Sequence, residues 1–204
     1  MKKTKQEAEV TKQAILQSAL DLFYEKGYSK TTFELISARI GLTKGAVYWY
    51  FKNKPVLVAA LINDYVLKKT AYLKKKVPVL KHFSDVERYF SAAADFIIKD
   101  ENAQKLAFFL ALQMEWSQSI ITKVTEEIKQ STETSFAYVS GALQMMQKKG
   151  EIRDDLSPDL LTSVIFNLWT GHLEAYFSKR CATDLKTMVR KSFDLLFNGL
   201  IKKG

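Results

Sequence analysis

Between Thr31 and Lys54 the chain reads TTFELISARIGLTKGAVYWYFKNK. A short helical pattern, a glycine and a second short helical pattern follow one another, and the rest of the chain reads as apparatus for positioning two copies of this unit. Phe33, Ile36 and Ile40 share one helical face. Gly41 closes that helix, Leu42 fills the turn, and Thr43 caps the next helix. Thr31 with Glu34 three residues later fits a capping box, which would leave Thr32 at the first helical position; the cap could equally be Thr32. In the second helix Val47 and Phe51 lie four apart and point inward. Lys44, Gly45, Ala46, Tyr48, Trp49 and part of Tyr50 are left facing outward, an unusually dense cluster for a solvated helix. Lysine and phenol groups bond phosphate oxygens, and small Gly45 and Ala46 allow close approach to base edges. Two helices joined by a three- or four-residue glycine turn form the helix-turn-helix unit.

Charge supports a polyanionic partner for this part of the chain. Residues 1–82 carry 16 Lys and Arg against 6 Asp and Glu, a net +10, whereas residues 83–204 carry 15 against 16. The excess therefore sits with the Thr31–Lys54 stretch and its flanks.

The flanking pattern is helical throughout. Three Pro and eight Gly in 204 residues favour long helices over a turn-rich β fold. From about Gln6 to Lys26, Ile15, Leu16, Ala19, Leu20 and Phe23 form one apolar stripe, and Gly27 supplies an αL stop after which Tyr28 folds back. Lys54 stands at the cap of a helix that Pro55 opens and that runs to about Lys76; Val77-Pro78 ends it.

The segment from Thr11 to Ile62 resembles the DNA-binding region of the TetR family of bacterial repressors. The resemblance rests on Lys26-Gly27-Tyr28, the Thr31-Thr32 pair, Ile36 to Gly41, and Thr43 through Lys54. Ser37 stands where the family usually has Ala, Trp49 where it has Tyr, and Pro55 where an acidic residue follows the lysine. The resemblance implies phosphate contacts by Thr32, Tyr48, Tyr50 and Lys54, and base or base-adjacent contacts by Thr43, Lys44, Gly45, Ala46 and Trp49.

Beyond this region helices are expected from Ser84-Asp85 to Lys99, Ala103 to Trp116, Ser119 to Lys149, Ser157-Pro158 to Arg180 and Asp184 to Leu200, with a break at Asp100-Glu101-Asn102. The Pro158 helix is apolar nearly all round, so one side needs a partner. Two such helices from each subunit make a four-helix dimer interface. The TetR family dimerises this way, and GEIRDDLSPDLLTSVIFNLWTGHLEAYF resembles its multidrug-type, AcrR-like members. The expected architecture is all-α with about nine helices: a helix-turn-helix domain over 1–54, a linking helix over 55–76, and a ligand-binding and dimerisation domain over 77–204.

No other chemistry is prominent. Cys181 is the single cysteine and excludes an internal disulfide. His82 and His172 are far apart in sequence and have no ligand cluster beside them, no nucleophile or phosphate-loop motif occurs, and no apolar run is long enough for a membrane span. The chain is therefore expected to be a cytoplasmic non-enzyme without a cofactor or metal, and without a membrane partner. The expected partners are double-stranded operator DNA, a second copy of the chain, and a small apolar or aromatic effector. Such an effector would lie among Phe90, Phe96, Phe109, Met114, Trp116, Phe136, Trp169, His172 and Tyr176, an expectation carried by the resemblance. The function implied is a ligand-released repressor on a palindromic operator; the alternative is an activator or ligand-independent regulator of the same fold.

Overall fold

The computed structural model describes residues 5–200, and of residues 129–134 the backbone alone. Among the described residues it holds nine α-helices, one π-helical turn and no strand. They are α1 (Lys5–Lys30), α2 (Phe33–Arg39), α3 (Lys44–Tyr50), α4 (Lys54–Lys76), α5 (Phe83–Lys99), α6 (Glu101–Phe108), the π-helical turn Phe109–Gln113, α7 (Gln118–Lys148), α8 (Pro158–Phe177) and α9 (Leu185–Leu200). The all-helical expectation holds. Contacts divide the chain into two compact units, Met1–Tyr65 with Gln104–Lys129 and Val66–Ala103 with Gln130–Gly204. The division falls inside α4 rather than at Lys54, and Gln104–Lys129 joins the N-terminal unit because it covers α1.

In the first unit α1 buries Ile15, Leu16, Ala19, Leu20 and Phe23. Ser18, buried on the same face, donates to the Ile36 carbonyl at 3.1 Å and so ties α1 to α2. Phe109 is fully buried and stacks on Phe23 with ring centroids 4.7 Å apart. Tyr24 meets Phe108 edge-on at 5.0 Å, and Asp21 pairs with Lys105 at 2.8 Å. Gly27 adopts φ 79°, ψ 177°. This is extended backbone of left-handed sign, open to glycine and not the expected αL stop. Helical geometry resumes through Lys30, and Tyr28 folds back on Phe23 as expected, 6.1 Å between centroids.

The expected helix from Ala103 to Trp116 changes character at Phe109. The Met114 N–H bonds the Phe109 carbonyl at 2.8 Å, an i to i−5 closure. The expected break over Asp100-Glu101-Asn102 is present but confined to Asp100, which is extended at φ −107°, ψ 113° and whose carboxylate accepts from the Ala103 N–H at 2.8 Å.

In the second unit α5 packs on α9, and α9 on α8. Phe83, Phe90, Leu143, Met146, Ile165 and Phe193 lie in its core. α5 begins a residue before the expected Ser84, with His82 at the cap and the Asp85 carboxylate accepting from the Lys81 and His82 N–H groups. Ser157 caps α8 by accepting from the Leu160 N–H at 3.2 Å. α8 ends at Phe177 rather than Arg180, where Lys179 turns to φ 55°.

Candidate nucleic-acid interface

The short helices α2 and α3 owe their start points to threonines. Thr32, not Thr31, caps α2, its hydroxyl accepting from the Leu35 N–H at 3.3 Å. The capping box expected of Thr31 and Glu34 is absent because Thr31 is fully buried and donates to the Gly27 carbonyl at 2.8 Å. Gly41 takes φ 67° in the turn, which suits a residue without Cβ. Thr43 caps α3 as expected, accepting from the Ala46 N–H at 3.2 Å. Asn53, rather than Lys54, caps α4 through the Val56 N–H at 3.0 Å. Ser37, where alanine is usual, is buried, and its hydroxyl donates to the Glu34 carbonyl at 3.0 Å, so the extra polar atom carries little penalty.

Val47 and Phe51 are buried, which fixes the free face of α3. Lys44, Gly45, Tyr48 and Trp49 are exposed, as is Thr43; Ala46 and Tyr50 are half-buried. Trp49 is 75% exposed and meets the Tyr50 ring edge-on at 4.6 Å. Tyr48 leans edge-on against buried Phe33 at 4.8 Å, so its ring is anchored while its side chain stays exposed. Lys44 pairs with Glu34 of α2 and stands 5.6 Å from the Tyr48 ring centroid. The Lys44 contact holds the Glu34 carboxyl below its ordinary range, the Thr32 hydroxyl assisting, and Glu34 in turn raises the Lys44 ammonium.

Lys54 differs from the other expected contacts. Its ammonium donates to the Tyr28 carbonyl at 2.8 Å and lies 4.2 Å from the Tyr28 ring centroid. Burial lowers its pKa, opposed by the Glu115 carboxylate. Glu115 also accepts from Ser29 at 2.5 Å. Lys54 is thus held against the last turn of α1. Neither this tether nor the Glu34–Lys44 pair was anticipated; the partners lie far apart in sequence, and the available signal for the second was that Glu34 is the single acidic residue between Thr31 and Lys54.

The nine residues expected around an effector separate. Phe109, Met114 and Trp116 belong to the first unit, where Phe109 and Met114 are buried and the exposed Trp116 indole donates to the Leu110 carbonyl at 3.4 Å. The other six belong to the second. Phe90 is core, with Trp169 at 5.7 Å and Phe166 at 5.4 Å; Phe136 lies 5.7 Å from Phe166. Phe96 is buried beside Tyr72 at 5.4 Å. Tyr176 meets Phe177 at 5.0 Å, and the buried Nε2 of His172 has no hydrogen-bond partner. A cleft of about 300 Å³ opens elsewhere in this unit, between the end of α4, α5 and α7, where Leu73, Val77 and Pro78 are joined by Lys74, Tyr89 and Tyr138. None of the nine lines it; its residues come from three elements and leave no linear signature.

A capped helix, a glycine turn and a second helix exposing Lys44, Tyr48 and Trp49 define a helix-turn-helix protein of the DNA-binding kind. Residues 15–61 match the family described as bacterial regulatory proteins, tetR family. The repressor BepR of Brucella suis is 23% identical over 98% of this chain and 91% of its own length. The crystal structure of NalD, the secondary repressor of the MexAB-OprM multidrug efflux pump in Pseudomonas aeruginosa, superimposes with a TM-score of 0.78 at 21% identity, covering 98% of this chain and all of its own. SmeT, the repressor of the Stenotrophomonas maltophilia pump SmeDEF, in complex with triclosan gives 0.73 at 25% identity, covering 96% and 93%. The chain belongs to the TetR family of transcriptional regulators. No helix among the described residues is long and apolar enough to cross a membrane.

Proposed function

We propose that the protein is a ligand-responsive repressor that binds a palindromic operator as a homodimer and leaves it when a small apolar or aromatic molecule binds the second unit. The exposed face of α3 carries this reading: a cation, two aromatic rings and two small residues stand together on a helix whose opposite face is buried. Two such helices, one per subunit, enter successive major grooves. Thr32, Tyr48 and Tyr50 bond phosphates, with Lys54 positioning the end of α1 beside them, while Thr43, Lys44, Gly45, Ala46 and Trp49 face or flank the base edges.

Leu160 and Val164 on α8 and Leu195 and Phe197 on α9 are exposed, which supports dimerisation through these helices. The apolar cleft beside Lys74, Tyr89 and Tyr138 supports a small-molecule site in the second unit. The relatives named above are repressors, and SmeT takes up triclosan. To move occupancy from 99:1 to 1:99, the effector must prefer the released conformation by about 5.5 kcal/mol. α4 runs through both units and is the covalent lever between them.

Footprinting on DNA flanking the gene, followed by addition of triclosan and other small aromatic compounds, tests the reading. Protection of an inverted repeat and its loss on addition are expected; protection that no compound disturbs would leave a regulator without this release. Tyr48→Ala is expected to weaken operator binding about tenfold, some 1.4 kcal/mol. Unchanged affinity would place the docking face elsewhere.

A further inference from the structure

Between Thr31 and Lys54 one carboxylate, Glu34, stands among Arg39, Lys44, Lys52 and Lys54. It is not a bystander to the exposed face of α3, because it pairs with Lys44, the residue that opens that helix. Both side chains are about half exposed, 51% for Lys44 and 55% for Glu34, so the pair stands where a phosphate would approach. The neighbouring acids of the first unit are engaged away from this lysine: Glu25 with Arg39 at 2.7 Å, Asp21 with Lys105 at 2.8 Å, and Glu115 with Ser29 at 2.5 Å. A solvent-exposed pair of this kind is weak, weak enough for DNA to break yet enough to compete with a phosphate for the same ammonium.

We infer that Glu34 is a positioning residue that withholds Lys44 from the DNA backbone and so keeps sequence-independent binding weak. The inference rests on the DNA-binding reading above. A phosphate that takes Lys44 must first displace the carboxylate, and it then lies beside an unpaired negative charge. Held by Glu34 and over the Tyr48 ring, Lys44 is directed along the exposed face of α3 rather than outward to the strand.

The test is a titration of the full chain against a labelled random-sequence duplex of about 30 base pairs, roughly three helical turns, read by fluorescence anisotropy between roughly 50 and 200 mM KCl. Four proteins are compared: the unsubstituted chain, Glu34→Gln, Lys44→Gln and the double variant. Both positions are exposed, so no substitution empties the core. Glu34→Gln is expected to bind the random duplex about two- to fivefold more tightly, with a logarithmic salt slope steeper by about 0.9, the signature of one more phosphate contact. In the Lys44→Gln background the same change is expected to do nothing. Unchanged or weaker binding by Glu34→Gln overturns the inference, as does a gain that persists without Lys44, which would reflect diffuse charge. Failure of all four proteins to bind duplex DNA overturns the DNA-binding reading itself.

Discussion

In the first unit α2 and α3 are seven residues each, start on threonine caps and expose a mixture of cation, phenol, indole and glycine. In the second unit α8 and α9 are 20 and 16 residues long and expose Leu160, Val164, Leu195 and Phe197. The contrast separates two kinds of partner. A wet, charged polyanion is met by donors and flat rings that tolerate water, whereas the exposed apolar surface of α8 and α9 suits the second copy of the chain proposed above, because it gains by losing water. Short helices are marginal alone, so α2 and α3 depend on caps and on the α1 core, while α8 and α9 have length and apolar area of their own.

The largest effect that would sharpen this contrast is at Phe109. If it is part of the first unit's core, Phe109→Ala removes a fully buried ring stacked on Phe23 and costs about 3–5 kcal/mol. Hydrogen exchange read by mass spectrometry should show protection lost over α1, α2 and α3 but kept over α8 and α9. If stability is unchanged and only the response to effector falls, Phe109 is a lining residue and the contrast breaks.

Phe109 also shows where the sequence stops being informative. The Thr43 cap, the Val47 and Phe51 anchors and the outward face of α3 were legible, because they depend on neighbours three or four residues away. The same local logic left the cap of α2 open between Thr31 and Thr32, and burial of Thr31 against the Gly27 carbonyl decided it. The second unit's helices were legible in number and approximate extent. Its cleft was not, since Lys74, Tyr89 and Tyr138 meet only after three helices pack. Apolar residues in buried helices look alike whether they fill a core, as Phe90 does, or line a cavity.

A smaller effect is expected at the exposed face of α9. Leu195 is 76% exposed in the single chain. Leu195→Asp places a charge in the proposed subunit contact and should weaken self-association at least tenfold, about 1.4 kcal/mol or more, as measured by sedimentation equilibrium. Leu35→Asp, on exposed apolar surface of the first unit, should leave the oligomeric state unchanged. Equal effects at both positions, or none at Leu195, would remove the distinction between a DNA-facing and a self-associating surface.

The smallest expected effect separates the units by pH. Burial lowers the pKa of His172 from its ordinary 6.5, and its buried Nε2 has no partner. Below pH 6.5 the unfolded chain takes up a proton that the folded second unit accepts less readily, so stability falls as the pH drops through this window and is fully present above it. In the first unit the shifted carboxyl is Glu34, whose folded pKa is depressed; its contribution is present above the ordinary carboxylate range and is lost only as the pH falls through the lower folded value. Between about pH 6.5 and 5, bounded by the ordinary histidine and carboxylate values, α8 and α9 should therefore lose exchange protection slightly while α2 and α3 keep theirs. His172→Gln should flatten the response of the second unit. A decline that persists in this variant would assign the titration to another group, and a decline in α2 and α3 over the same interval would show that the two units share one stability.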